Sequence, residues 1–253
     1  MPRYVADHVA DSAKAALLAE LETWPKPGLV SHVDSGSHAD MDAAMLRRSA
    51  EVLQPFFVEL ALAGWEGAGM SRLRAIGLRA ETAMLAATGG VNTYRGTIFG
   101  LGLLCSAAGT TARLSNNGVV VVPGKLGNIV AARWGNDIRR GPVPLHSHGS
   151  AALRRYGAGG ARAEASTGFP SIYNIGLPAL RLGRTMAPAD AFAASVQTCF
   201  ALIASVRDTN LLHRGGEDGA LYASESAKAF LSAGGVDTSD WRIRAAEVHS
   251  GFV

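Results

Sequence analysis

Apolar residues recur at helical spacing almost from one end of this chain to the other. That period leaves little room for any other architecture. Val5, Val9, Ala13, Ala16, Leu17 and Leu21 form one stripe, which stops at Trp24-Pro25. A second helix is predicted to start near Asp40. Leu46, Ser49, Leu53, Phe56 and Leu60 share its inner face, Pro55 should kink it, and Gly64 closes it. Ser71 is placed to cap a third helix, with Leu73, Ile76, Ala80, Ala83, Met84 and Ala87 inward and Gly89-Gly90 at the stop. A fourth apolar run covers 97–108, where Gly100 and Gly102 predict close helix packing. Helix is expected again over 123–139, 147–156, 178–182, 188–208 and 219–233. The run 119–122 is the one convincing strand-like segment, and it is too isolated to found a sheet. Alanine is abundant and β-branched residues are few, which agrees with helix. There is no repeat and no shift in composition along the chain. The weakest seam, Arg139 to Pro144, reads as an ordered loop. The expectation is all-α: a single compact multi-helix domain over 1–253.

With 253 residues the chain can bury a sizeable core. The formal charge is +3 and the pI about 9.1, and arginine carries the excess, since four of the 24 basic residues are lysine. No basic run resembles a nucleic-acid arm, and aromatic residues are too sparse for a base-stacking surface. Most of the arginines belong on solvated helix faces. The guanidinium fork also suits a small polyanion, because it matches phosphate oxygens. Cys105 and Cys199 both sit in apolar settings and read as small core residues, not as a disulfide framework or a zinc site. The first eleven residues carry Arg3, Asp7 and Asp11 with no long apolar run, so they do not form a signal peptide. No stretch has the apolar length of a membrane span, and a cytoplasmic protein is expected.

Four polar stretches interrupt the helical period. The first runs from Trp24 to Asp42 and crowds Lys26, His32, Asp34, His38, Asp40 and Asp42 among prolines and glycines. Such a concentration of ionisable groups can bind a metal, a phosphate or both. Asp40 is placed to cap the second helix. Asp42 precedes Leu46, Ser49 and Leu53 by four, seven and eleven residues, which predicts an inward carboxylate in need of a partner. The second stretch is Glu81 to Gly96. There Gly89-Gly90 ends a helix, and Asn92, Thr93 and Arg95 introduce the next, a possible anion site. The third runs from Ala161 to Pro170. In the fourth, Asp208 to Glu217, some of Asp208, Asn210, His213 and Arg214 must face inward if the segment is helical. The Walker pattern, the dinucleotide-binding glycine pattern, the nucleophile elbow and the zinc-protease helix are all absent.

Taken together and in order, these stretches resemble one family, the triphosphoribosyl-dephospho-coenzyme A synthases. The matching pieces are Pro25-Lys26-Pro27-Gly28-Leu29-Val30, Gly36-Ser37-His38-Ala39-Asp40-Met41-Asp42, Ala87-Thr88-Gly89-Gly90-Val91-Asn92-Thr93, Gly96-Thr97-Ile98-Phe99, Gly168-Phe169-Pro170 and Asp208-Thr209-Asn210-Leu211-Leu212-His213-Arg214-Gly215-Gly216. The segment Val30 to Gly36 looks closer to the malonate decarboxylase branch than to the citrate lyase branch.

The resemblance implies an all-helical transferase that takes ATP and 3′-dephospho-CoA. It joins the ATP ribose C1 to a ribose hydroxyl of dephospho-CoA and releases adenine, with Mg²⁺ on the intact triphosphate. The product would go on, through a downstream transferase, to an acyl carrier protein. No nucleic acid or membrane partner is implied, and a homodimer is compatible with the reading. On this resemblance Asp42, Glu81 and His38 are the candidates for chemistry, and Asp40, Asp42 and Glu81 for the metal. Lys26, Arg95 and Arg214 would hold phosphates. Asn92, Thr93, Asn210 and His213 would orient ribose or phosphate, as would His38. Two departures stand out. Tyr94 occupies a position where the family has histidine. The chain also ends at Gly251-Phe252-Val253, where the family continues into an Asn-Leu-Ser-Pro-Gly-Gly segment and a final helix, so that segment is expected to be missing. The competing readings are a magnesium-dependent helical hydrolase of ADP-ribose-like substrates and a non-catalytic nucleotide-binding module.

Overall fold

The computed structural model describes residues 1–116, 126–142, 155 and 159–252. Every regular element among them is helical. The helices are α1 (Arg3–Leu21), α2 (Ala43–Glu66), α3 (Met70–Ala87), α4 (Arg95–Asn116), α5 (Leu126–Arg140), α6 (Gly160–Ser166), α7 (Leu177–Met186), α8 (Ala193–Ser205), α9 (Thr209–Ser232) and α10 (Trp241–Ser250). A π-helical turn, Ile172–Gly176, leads into α7, and a 3₁₀ turn, Gly235–Asp237, follows α9. The all-α expectation holds. The predicted strand-like run at 119–122 and most of the helix predicted at 147–156 lie outside the described residues.

Several boundaries differ from the sequence reading, for local reasons. α2 begins at Ala43, not near Asp40, because the chain from Gly36 to Asp42 is held in turns. It passes Pro55 as one helix and ends at Glu66, beyond Gly64. Its inner face carries Phe57, which is buried, whereas Phe56 is half-buried with the Arg79 guanidinium 6.0 Å from its ring centre. Gly69, in an extended conformation, takes the N-cap position of α3, which puts Ser71 inside the first turn. The stop at Gly89-Gly90 holds: both glycines have positive φ, and the Gly90 amide closes back on the Leu85 carbonyl at 2.8 Å.

The described residues group into two compact units, each assembled from three segments, so no single cut in the sequence separates them. The first comprises Met1–Ala19, Ala44–Gly141 and Ala161–Phe169. Its tightest contact is between α2 and α4. A Cβ added at Gly64 would lie 1.9 Å from the Ser106 carbonyl oxygen, and one at Gly109 equally close to the Ala61 carbonyl. Backbones approach at that distance only where both helices present glycine. Thr110 seals the crossing by donating its hydroxyl to the Gly64 carbonyl at 3.0 Å. Gly102 also serves close packing, against Leu60, but Gly64 and Gly109 define the approach. α4 is apolar and long enough over Arg95–Ser115 to cross a membrane by composition; here Ile98, Leu103, Cys105 and Ala107 of that stretch are buried within the unit. Burial pushes the Cys105 thiol up to about 12, which leaves it an inert core residue.

The second unit comprises Glu20–Ala43, Pro142–Gly160 and Pro170–Val253. Its core gathers Val196 and Phe200 of α8, Ala227 and Phe230 of α9, Val236, and Trp241 and Ala245 of α10. The Phe200 and Phe230 rings meet at 4.1 Å between centroids. Gln197 turns inward from α8 and accepts the Val236 amide at 3.2 Å, which satisfies a polar group that burial would otherwise penalise. Burial pushes the Cys199 thiol of α8 up to about 12 as well.

Candidate functional site

In the first unit the polar residues cluster where α3 hands over to α4. Thr88 occupies the C-cap of α3, and its hydroxyl reaches the Met84 carbonyl at 2.9 Å and the Val91 carbonyl at 2.6 Å. Asn92 Oδ1 accepts the Arg95 amide at 3.1 Å, one of the orphan donors at the start of α4. The Thr93 hydroxyl meets that of Ser49 on α2 at 2.8 Å. Arg95 Nε donates to Glu81 Oε1 at 2.6 Å, and the two side chains are only partly exposed. Tyr94 is buried among these helices and donates its amide to the Met84 sulfur at 3.1 Å.

The second unit carries the crowded loop. Lys26 is 1% exposed, and its ammonium donates to the Glu20 carbonyl at 2.6 Å and to the Glu20 carboxylate at 2.5 Å. Asp34 is the hub of the loop. Its Oδ1 accepts the Gly36 amide at 2.8 Å; its Oδ2 accepts the Trp24 indole N–H at 3.2 Å and lies 3.0 Å from His249 Nε2. Partial burial works to raise the Asp34 carboxyl, but the Gly36 amide, the His249 charge and the Trp24 indole outweigh it, and the group lies below its ordinary 3.8. Gly36, with φ 54°, crosses the chain at Gly28 so closely that a Cβ would lie 2.7 Å from Gly28 C. Ser37 then fastens the loop by donating its hydroxyl to the Gly28 carbonyl at 2.9 Å.

Onto this loop comes Arg214 from α9. Nη1 donates to the Ser37 carbonyl at 3.2 Å and to its hydroxyl at 3.0 Å, and Nη2 donates to His38 Nδ1 at 3.0 Å. Because Nδ1 accepts from arginine, the ring proton of neutral His38 sits on Nε2. Burial and the Arg214 charge hold His38 below its ordinary 6.5, against the pull of Asp40, whose Oδ1 is 3.4 Å from Nδ1. Asp208 sets the start of α9: its Oδ1 accepts the amides of Asn210 at 2.6 Å and Leu211 at 3.3 Å. That register buries Leu212 and turns Asn210, His213 and Arg214 to the exposed face. Gly216, at φ 65° and ψ −161°, then breaks the helical path.

The structure corrects several placements. Asp42 is exposed and immediately precedes the first residue of α2; the inward position required a helix starting three residues earlier. Asn210, His213 and Arg214 do not point into the core. Lys26 is buried against Glu20 and is not an open phosphate ligand. Glu81 and Arg95, assigned to metal and phosphate, pair with one another. Asp40 and Asp42 belong to the second unit and Glu81 to the first; within each unit, no group of three or more His, Cys, Asp or Glu converges among the described residues. His249 escaped the sequence reading. It was detectable as the third member of a stripe, Trp241, Ala245 and His249, that shares the buried face of α10.

Both polar clusters include residues from the stretches that resemble the family, among them Asn92 and Thr93 in the first and Ser37, His38 and Arg214 in the second, and comparison with known proteins points to the same family. The model of the ATP:dephospho-CoA triphosphoribosyl transferase family matches residues 6–253. The chain therefore belongs to that family, a class of helical transferases. Among its relatives is a probable 2-(5″-triphosphoribosyl)-3′-dephosphocoenzyme-A synthase of Azotobacter vinelandii, 38% identical over 237 residues, covering 91% of this chain and 78% of the relative. The 2-(5″-triphosphoribosyl)-3′-dephosphocoenzyme-A synthase of Pectobacterium atrosepticum is 38% identical over 240 residues, with the same shares covered. A probable synthase of Acinetobacter calcoaceticus is 32% identical over 245 residues, covering 95% and 82%. No solved structure matches.

Proposed function

We propose that this chain transfers the 5-triphosphoribosyl group of ATP to a ribose hydroxyl of 3′-dephospho-CoA. The C1–N bond to adenine breaks, a C1–O bond forms, the hydroxyl proton goes to a base, and adenine leaves with a proton. The observation that supports this reading best is the exposed cluster of the second unit. There Arg214 is held by Ser37 and His38 beside the exposed Asp40 and Asp42, and all of these residues belong to the family motifs. A guanidinium fixed by three acceptors is a ready phosphate ligand. Carboxylates beside it suit the oxocarbenium-like state of ribosyl transfer. Neutral His38 and the side chains of Asn210 and His213 would orient the substrate. In the first unit Glu81 would stabilise charge, with Arg95, Asn92 and Thr93 binding substrate.

Magnesium fits this donor set. Asp40 and Asp42 offer hard oxygen, and an ion that prefers one or two carboxylates plus substrate phosphates needs no larger cage. Bound there, it would neutralise the triphosphate. The product would serve as precursor of the prosthetic group of an acyl carrier protein, with malonate decarboxylase the favoured branch. A cytoplasmic setting completes the proposal, and a homodimer is compatible with it.

The test incubates the chain with ATP, Mg²⁺ and 3′-dephospho-CoA and follows products by mass spectrometry. Adenine and the triphosphoribosyl product should appear in equal amounts, and neither without the acceptor. Adenine released without dephospho-CoA would make the protein a hydrolase, and tight ATP binding with no adenine would make it a binding module. Asp42→Ala and Glu81→Ala should each lower turnover more than about 100-fold, roughly 2.7 kcal/mol of barrier, with the fold intact. Near-normal turnover would remove either residue from the chemistry.

A further inference from the structure

The last helix ends inside the crowded loop. His249 is 4% exposed, and each ring nitrogen faces an oxygen: Nδ1 lies 3.0 Å from the Lys26 carbonyl, and Nε2 3.0 Å from Asp34 Oδ2. A carbonyl can only accept, so Nδ1 carries a proton. A carboxylate also accepts, and its other oxygen is occupied by the Gly36 amide. Neutral imidazole has one N–H and cannot serve two acceptors. The Trp24 ring packs against His249 at 6.2 Å, edge to face, and sends its own N–H to the same Asp34 oxygen.

We propose that His249 is held as a doubly protonated imidazolium and acts as the positioning residue of the phosphate-binding loop. The connection is continuous. His249 fixes Asp34 and Lys26; Asp34 fixes the Gly36 amide; Ser37, next in the chain, is bonded to Gly28 and receives Arg214, which also reaches His38. A charged pair at the buried end thereby orients the exposed guanidinium. Asp34 is the titratable group facing the ring from the loop. The Lys26 ammonium is turned to Glu20, with the Cys199 thiol of α8 in their field, and the Tyr222 hydroxyl of α9 borders Gly251 beyond the ring. The role in turnover rests on the reading of Arg214 as a phosphate ligand.

The first experiment is ¹⁵N–¹H NMR of the full chain with labelled histidine, assigned through His249→Gln. Both ring nitrogens of His249 should show protonated-type shifts at neutral pH. A pyridine-type nitrogen overturns the proposal. The second compares His249→Ala, His249→Gln and the unaltered chain in the transfer reaction. KM for ATP should rise about tenfold or more in the alanine variant with kcat little changed, and glutamine, which keeps one donor, should recover part of the loss. An unchanged KM, or a fall in kcat alone matching the fraction unfolded, overturns the positioning role. Calorimetric binding of inorganic tripolyphosphate reads the same loop without the transfer step. A chain that makes no product then fails the proposed function alone, while the effect of His249→Ala on tripolyphosphate affinity still decides this one.

Discussion

The turn at 88–96, taken with Glu81 of α3 that pairs with its Arg95, and the loop at 22–42 contain the same kinds of residue: positive-φ glycines, acids, bases and hydroxyls. They use them in opposite ways. In the turn, Glu81 and Arg95 neutralise each other near the surface, and Asn92, Thr93 and Thr88 serve the ends and flanks of helices. In the loop, the acid and base nearest the core, Asp34 and Lys26, are consumed by His249, Trp24 and Glu20, and that inner scaffold leaves Arg214, His38, Asp40 and Asp42 at the surface. The glycine-rich motifs are therefore not equivalent. One is a junction whose charges are locally balanced, and the other is a platform whose buried charges support exposed ones.

The comparison can be broken first at two glycines of similar φ. Gly36 (φ 54°) has backbone atoms 2.7 Å from the position of a Cβ, whereas Gly89 (φ 65°) has nothing within 4 Å. Gly36→Ala adds a collision with an immovable neighbour to the left-handed strain, so a loss above about 3 kcal/mol is expected. Gly89→Ala carries the strain alone, about 1 kcal/mol. Denaturant melts of the two variants check this; equal losses would mean that the loop yields as readily as the turn.

Removing the acids comes next. Asp34→Ala leaves the buried His249 and the Trp24 indole without their acceptor, and about 3 kcal/mol of stability should go. Glu81→Gln breaks a partly exposed ion pair and should change stability by less than about 1 kcal/mol. Acid sharpens the same contrast. The folded Asp34 carboxyl lies below 3.8, so its contribution is complete above that pH and is lost as pH falls through the folded value. His38, held below 6.5, acts in the same direction at higher pH, because protonation must be paid for before the ring can charge beside Arg214. These two groups should therefore lower the melting temperature on acidification below pH 6.5. In Asp34→Asn the part of that decline below pH 3.8 should shrink, and an unaltered acid profile would show that Asp34 does not contribute to it.

How much of this was legible in the sequence follows from the range of each interaction. Helix was legible because its period is local, and so was the stop at Gly89-Gly90, where the conformation resides in the residues themselves. The start of α2 was misjudged by three residues, and that small error turned Asp42 from an exposed acid into a buried one. Ser37, His38 and Arg214 were singled out through motifs, but their meeting was not: Arg214 and Ser37 are 177 positions apart, and His249 and Asp34 are 215. Lys26 illustrates the limit most clearly. A lysine between two prolines looks like a surface ligand, and only the partner that arrives from Glu20 shows that its charge is internal.

The smallest expected differences lie at the helix starts that flank each region. Asp208 Oδ1 accepts two amides at the start of α9, with the shorter bond at 2.6 Å, and an ionised oxygen there also meets the positive end of the helix dipole. Asn92 Oδ1 is neutral and accepts the single Arg95 amide at 3.1 Å. Alanine at 208 should cost about 1–2 kcal/mol and alanine at 92 about 1 kcal/mol or less. The two should also separate by function. The register of α9 sets where Arg214 emerges, so Asp208→Ala should weaken tripolyphosphate binding in calorimetry beyond its effect on stability. If Asn92→Ala weakened that binding as strongly at so small a cost in stability, the turn at 88–96 would be a phosphate platform in its own right, and the contrast between a balanced junction and a supported surface would fail.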